Sequence, residues 1–83
     1  MTAATLPRGA VVLVRGACRR PAYRARVDAF DARRGFYVGL RLGLTPSERK
    51  AGDIPPLCLF RAGRILAVRQ AAGFQRVLPG VLG

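Results

Sequence analysis

YRARVDAFDARRGFYVGLRL, Tyr23 to Leu42, consists of two alternating runs either side of a turn. In the first run Tyr23, Ala25, Val27 and Ala29 alternate with Arg24, Arg26, Asp28 and Phe30, the period-two pattern of a half-buried strand. DARRG, residues 31–35, reads as the turn, with Asp31 to start it and Gly35 to take a positive φ. The second run, FYVGLRL, sets Phe36, Val38, Leu40 and Leu42 on one side and Tyr37, Gly39 and Arg41 on the other. Pairing Val27 with Val38 places Ala25 against Leu40 and Ala29 against Phe36. One face is then wholly apolar, and such a face fixes a hairpin register. The expectation is a hairpin with that face inward and with Arg24, Arg26, Tyr37, Gly39 and Arg41 outward.

On the N-terminal side, Gly9 opens GAVVLVRG, a β-branched run closed by Gly16 and read as a first strand. ACRRP, ending at Pro21, is a loop. Beyond the hairpin, LTPSERKAGD sets Thr45 before Pro46, with Glu48 three residues after the threonine. That is a capping box with proline at the first helical position, predicting one helical turn that ends near Gly52. Pro55 and Pro56 stop it, and LCLF (Leu57–Phe60) begins another strand. RAGR (Arg61–Arg64) reads as a tight turn around Gly63, from which ILAVRQ (Ile65–Gln70) runs back as a strand. Ala67, Gln70, Ala71 and Ala72 are also compatible with a helix there. FQRVL, Phe74 to Leu78, holds a last short strand before Pro79 and Gly80.

Short strands with frequent turn signals in so short a chain point to a small antiparallel β-barrel. The reading is all-β: a single domain with a five-stranded SH3-like barrel over about residues 8–78, one short helical turn, and flexible ends at 1–7 and 79–83. An 83-residue chain has room for one core, and with 51% hydrophobic residues it is expected to fold. No apolar run approaches the roughly 18 residues of a membrane span. MTAATLPRGAVVLVRG has no basic region ahead of its short apolar stretch, so no secretory signal is expected and the cytoplasm is the default compartment.

GAVVLVRG followed by RARVDAFD resembles the KOW-type and Tudor-like elements of the SH3-like barrels, with Gly9, Val11, Leu13, Gly16 and Val27 in matching places. The turn is two residues longer than the usual motif, and Ala25 stands where a glycine normally precedes the second strand. The resemblance implies the barrel fold. It also implies binding of RNA, DNA, components of transcription or the ribosome, or peptides.

Charge supplies a separate argument. Fifteen basic residues, all arginine except Lys50, face four acids, a net +11. A GC-rich genome accounts for arginine over lysine, but it encodes Asp and Glu as readily and so does not account for the excess. Such a charge favours polyanions: nucleic acid, anionic lipid or an acidic protein partner. Arg24, Arg26 and Arg41 on the outward face, Arg19 and Arg20 leading in, and Arg33 and Arg34 at the far turn form the candidate nucleic-acid-binding set. Guanidinium groups fork onto phosphate oxygens, Tyr37 or Tyr23 could stack on bases, and Gly39 would let a ligand backbone approach. The competing view is a solvated strand face whose arginines only maintain solubility. Arg20-Pro-Ala-Tyr-Arg24 also matches the R-x-x-x-R that PilZ domains use on cyclic di-GMP, but Asp31 to Gly35 lacks the serine and spacing of the companion motif.

No catalysis, cofactor or metal site is expected. Asp28, Asp31, Glu48 and Asp53 show no close pair, Ser47 has no histidine to activate it, and there is no C-x-x-C. Cys18 and Cys58 are read as unpaired thiols; Cys18, beside Arg19 and Arg20, sits where a thiol pKa could fall, and Cys58 reads as core. LCLF and ILAV are apolar on both faces, and VLPGVLG adds more apolar residues. A covered outer face, a homodimer or a partner protein each accounts for that surface. The second function class is therefore a docking module or small inhibitor that uses the apolar second hairpin and tail.

Overall fold

The computed structural model of the chain describes residues 5–52 and 54–77. The strands are β1 (Val11–Val14), β2 (Tyr23–Asp31), β3 (Phe36–Arg41), β4 (Leu57–Phe60), β5 (Ile65–Gln70) and β6 (Gly73–Arg76). They form one antiparallel sheet in the order β4-β3-β2-β1-β5-β6. Residues 65–70 are strand, not helix, and the last strand is shorter than expected; Leu78 lies outside the described residues.

The helical turn predicted from LTPSERKAGD is α1 (Pro46–Ala51). The Thr45 hydroxyl accepts the Glu48 N–H at 3.2 Å, and the Glu48 carboxylate accepts the Thr45 N–H at 3.1 Å. These bonds hold the Glu48 carboxyl below its ordinary pKa, and Gly52 closes the helix at a φ of 72°. The DARRG turn also forms as read: Asp31 Oδ1 accepts the N–H groups of Arg33 and Arg34, each at 3.1 Å, and the Gly35 N–H bonds the Asp31 carbonyl at 2.7 Å.

The hairpin register differs from the expected one. Ala25 pairs with Arg41 and Val27 with Gly39, and beyond a bulge at Asp28, Ala29 pairs with Val38 and Phe30 with Tyr37. A one-residue slip exchanges the two faces of a strand, so β3 turns Tyr37, Gly39 and Arg41 inward and Phe36, Val38 and Leu40 outward. The cause is aromatic packing with a satisfied hydroxyl. Tyr37 is fully buried, its ring lies 4.7 Å from Phe30 and 5.8 Å from Phe60, and its hydroxyl accepts the Leu6 N–H at 3.1 Å. Each such ring pair contributes about 0.5–1.5 kcal/mol beyond area burial. The bulge makes this possible: it switches the inward residues of β2 from Ala25 and Val27 to Phe30. The Leu6 bond also ties down part of the N-terminal segment expected to be flexible over residues 1–7.

β4 and β5 follow one another in sequence yet do not pair. β4 lies against β3, and β5 lies against β1, with Val14 opposite Ile65. RAGR is therefore not a hairpin turn but a crossover containing a 3-10 turn (Ala62–Arg64). In a flat sheet β4 and β5 would stand four spacings apart, about 19 Å. The short crossover joins them, and Phe60 and Ile65 share one buried cluster with Val12, Val14, Ala25, Val27, Tyr37 and Cys58, so the sheet coils around that core. The expected closed five-stranded barrel is instead an open, coiled, six-stranded sheet. Among the described residues no helix is long and apolar enough to cross a membrane.

Gly39 sits inside this coil and not on a ligand-facing surface. A Cβ there would stand 2.7 Å from the Arg26 carbonyl oxygen and 3.3 Å from the Phe60 ring. Backbone cannot yield as a flexible side chain can, so Gly39→Ala is expected to destabilise the fold by about 1–3 kcal/mol, the usual range for overpacking. Urea denaturation should show a lower midpoint at unchanged slope; an unchanged midpoint would place the β3 backbone elsewhere.

Candidate anion-binding cleft

The structure scatters the predicted site residues. Arg24 and Arg26 are exposed on the outer face of β2, where Arg26 lies between Val11 and Leu40 and the Arg24 guanidinium rests near Gly43. Arg33 and Arg34 sit at the β2–β3 turn, and Arg34 Nε is 3.9 Å from the Asp31 carboxylate. Arg19 is exposed in the β1–β2 loop. Tyr37 cannot stack on a base, because it is core. Arg41 points inward with its guanidinium 3.7 Å from the centroid of the Tyr23 ring, a cation–π contact. Of the predicted set, Arg20 and Arg41 come together on one cleft. Arg20 and Arg24, the ends of the R-x-x-x-R match, part company: Arg24 does not line it.

The cleft, of about 760 Å³, lies between the loop after β1, residues of β2, β3 and β4, and the crossover that follows β4. The end of β1 and the loop after it bring Arg15 and Arg20, β3 brings Arg41, and the crossover brings Arg61 and Arg64. Tyr23, Phe36 and Phe60 supply aromatic wall. Arg15 and Arg64 are held as neighbours by a 2.8 Å bond from the Arg15 N–H to the Arg64 carbonyl. None of the described acids lines the cleft: Asp28 pairs with Arg8 at 3.3 Å, Asp31 holds the far turn, and Glu48 holds the helix cap. Arg41 Nε is buried without a hydrogen-bond partner among the described residues. Burial raises the Tyr23 pKa, with Cys58 adding to the rise and Arg41 opposing it, and burial likewise raises that of Cys58. Both groups therefore stay neutral at physiological pH, and the charge of the cleft is positive throughout.

The loop that carries one wall is tightly built. The Arg20 N–H bonds the Ala17 carbonyl at 3.1 Å, and the two residues between them, Cys18 and Arg19, have φ of 51° and 66°. Left-handed backbone costs an L-residue about 1–2 kcal/mol. Gly16 lets the loop close on itself, since a Cβ there would meet the Arg20 carbonyl oxygen at 2.3 Å. Arg15, Arg61 and Arg64 escaped the sequence reading because the β1–β5 pairing that gathers them is not local. The available signal was positional: Arg15 follows a strand, and Arg61 and Arg64 bracket Gly63 in the turn between two strands.

Both cysteines are free, Cys18 exposed on the cleft wall and Cys58 buried. The Cys58 thiol donates to the Gly39 carbonyl at 3.3 Å. A chromogenic disulfide reagent is expected to titrate one thiol in the native protein and the second only on unfolding, and Cys18→Ser should abolish the native reaction. Two fast thiols would contradict the burial of Cys58. No protein-family model, no curated protein and no solved structure matches the chain.

Proposed function

We propose that the chain is a small, non-catalytic, SH3-like β domain of the cytoplasm that binds single-stranded nucleic acid, RNA or DNA, in the arginine-lined cleft. The observation that carries this reading is a cleft with five arginines and no acid among its described lining. Arginine forks match phosphate oxygens, and an acid-free concavity with low-dielectric walls concentrates their field. Arg41, its guanidinium over the Tyr23 ring, places donors beside the opening, and Phe36 offers a ring against which a base can stack. Selectivity for sequence should be modest, because the α-helix among the described residues, α1, has six residues, short for a recognition helix. The single core shared by the first five strands supports the barrel-like reading, while β6 and the unpaired β4–β5 seam distinguish this chain from a closed barrel.

This reading moves the binding surface from the β2 face to the cleft, and substitution separates the two. Fluorescence anisotropy with a labelled oligonucleotide over a salt series should give a log–log slope near −3.5 for about five phosphates on a single strand. Arg15→Glu with Arg64→Glu should weaken binding at least about tenfold and flatten that slope, whereas Arg33→Glu with Arg34→Glu should do much less. Equal losses from both pairs would reduce the interaction to diffuse charge.

A further inference from the structure

The cleft leaves a second concave surface unused. Leu40, Leu42, Leu44, Ile54, Pro55 and Pro56 line it with Gly52, enclosing about 490 Å³, together with Arg26, Arg49 and Arg41, which it shares with the cleft. Two backbone bonds build it: the Arg41 N–H to the Pro56 carbonyl at 2.7 Å and the Leu42 N–H to the Arg24 carbonyl at 2.9 Å. The apolar surface continues beyond the groove, because Leu40 pairs with Leu57 and Val38 with Leu59 on the outer face. Leu57 is 56% exposed and Leu59 57%. Lone exposed leucines are ordinary, but a contiguous apolar groove with a charged border marks a binding site.

We propose that this groove docks an acidic amphipathic helix of a partner protein, its apolar stripe on Leu40 and Leu57 and its carboxylates on Arg26 and Arg49. Four occupants compete, and the geometry separates them. A second copy would bring net charge +11 against +11 and set the groove's arginines against their counterparts. A bilayer surface is flat and would leave the concavity unfilled. An extended strand would add to the open edge of β4, beside the groove and not over its apolar floor, because β3 at that floor is already paired on both sides, by β2 and β4. A helix satisfies its own backbone bonds and needs only side-chain contacts, with anchors at i, i+3, i+4 and i+7. Carboxylates beside those anchors complement the guanidinium groups of Arg26, Arg41 and Arg49 in the lining.

The test uses the full chain and two labelled peptides of about 18 residues, five helical turns, composed of Leu, Ala and Glu. In one, leucine follows the helical spacing with glutamate on its flanks; the other has the same composition shuffled. The patterned peptide is expected to bind at least about tenfold more tightly than the shuffled one by anisotropy. Leu40→Ser with Leu57→Ser, both at exposed positions outside the core, should erase that preference. Arg26→Glu with Arg49→Glu should weaken binding without touching the apolar floor, so a folding defect in one pair does not remove the test. Arg15→Glu with Arg64→Glu should leave the preference intact. Equal binding of the two peptides, or a preference that survives loss of Leu40 and Leu57, overturns the proposal. Leu57-dependent sedimentation with phosphatidylcholine–phosphatidylserine vesicles and no preference for the patterned peptide overturns it in favour of a lipid surface.

Discussion

The inward turn of Tyr37 is the constraint on which the rest of the molecule depends. A phenol buried without a partner would be costly; here the Leu6 N–H answers it, and the ring joins Phe30 and Phe60. Once Tyr37 is inside, the two-residue repeat of a strand leaves no freedom to its neighbours. Gly39 must be inside as well, where only a hydrogen atom fits between the Arg26 backbone and the Phe60 ring. Arg41 follows on the same side and emerges where the core ends, over Tyr23 and into the cleft. Phe36, Val38 and Leu40 are left on the other face, so one choice of parity produces the core, the innermost cleft arginine and the apolar outer surface together.

That choice was not legible in the sequence, and the reason is physical. Alternation in FYVGLRL marks Phe36, Val38, Leu40 and Leu42 as the set to bury, and the chain buries the other set, led by Tyr37. The decision rests on a bulge at Asp28 and on a bond from Leu6, 31 positions away. What was legible is what local chemistry determines. The Thr45–Glu48 capping box, the Asp31 turn and the spans of β1, β3, β4 and β5 all arise from residues within a few positions of one another. The crossover at Arg61–Arg64 was misread as a hairpin turn because its geometry answers to β1 and not to the strand before it. The site suffered most from this, since three of the five cleft arginines arrive through that non-local pairing.

The arginines divide into groups that differ in what their charge can do. Those near Asp28 and Asp31 lie in exposed ion pairs, each worth about 0–1 kcal/mol and screened by salt. Those in the cleft face one another with no carboxylate between them among the described residues. Such crowding weakens the free fold, and any anion that settles among them relieves repulsion while making contacts. A ligand that binds only the folded form stabilises it by mass action, so a polyanion bound as proposed would be thermodynamically linked to the fold.

The turn at Cys18 and Arg19 holds backbone strain beside the cleft. Asn-Gly would adopt two successive left-handed residues with little strain, and the sequence has neither. Conformational ease is forgone where a thiol lines the wall of the cleft and a guanidinium stands on the same loop. A variant carrying Asn-Gly there would close the same turn with less backbone strain, so the present loop holds a small store of energy that its replacement would release into stability.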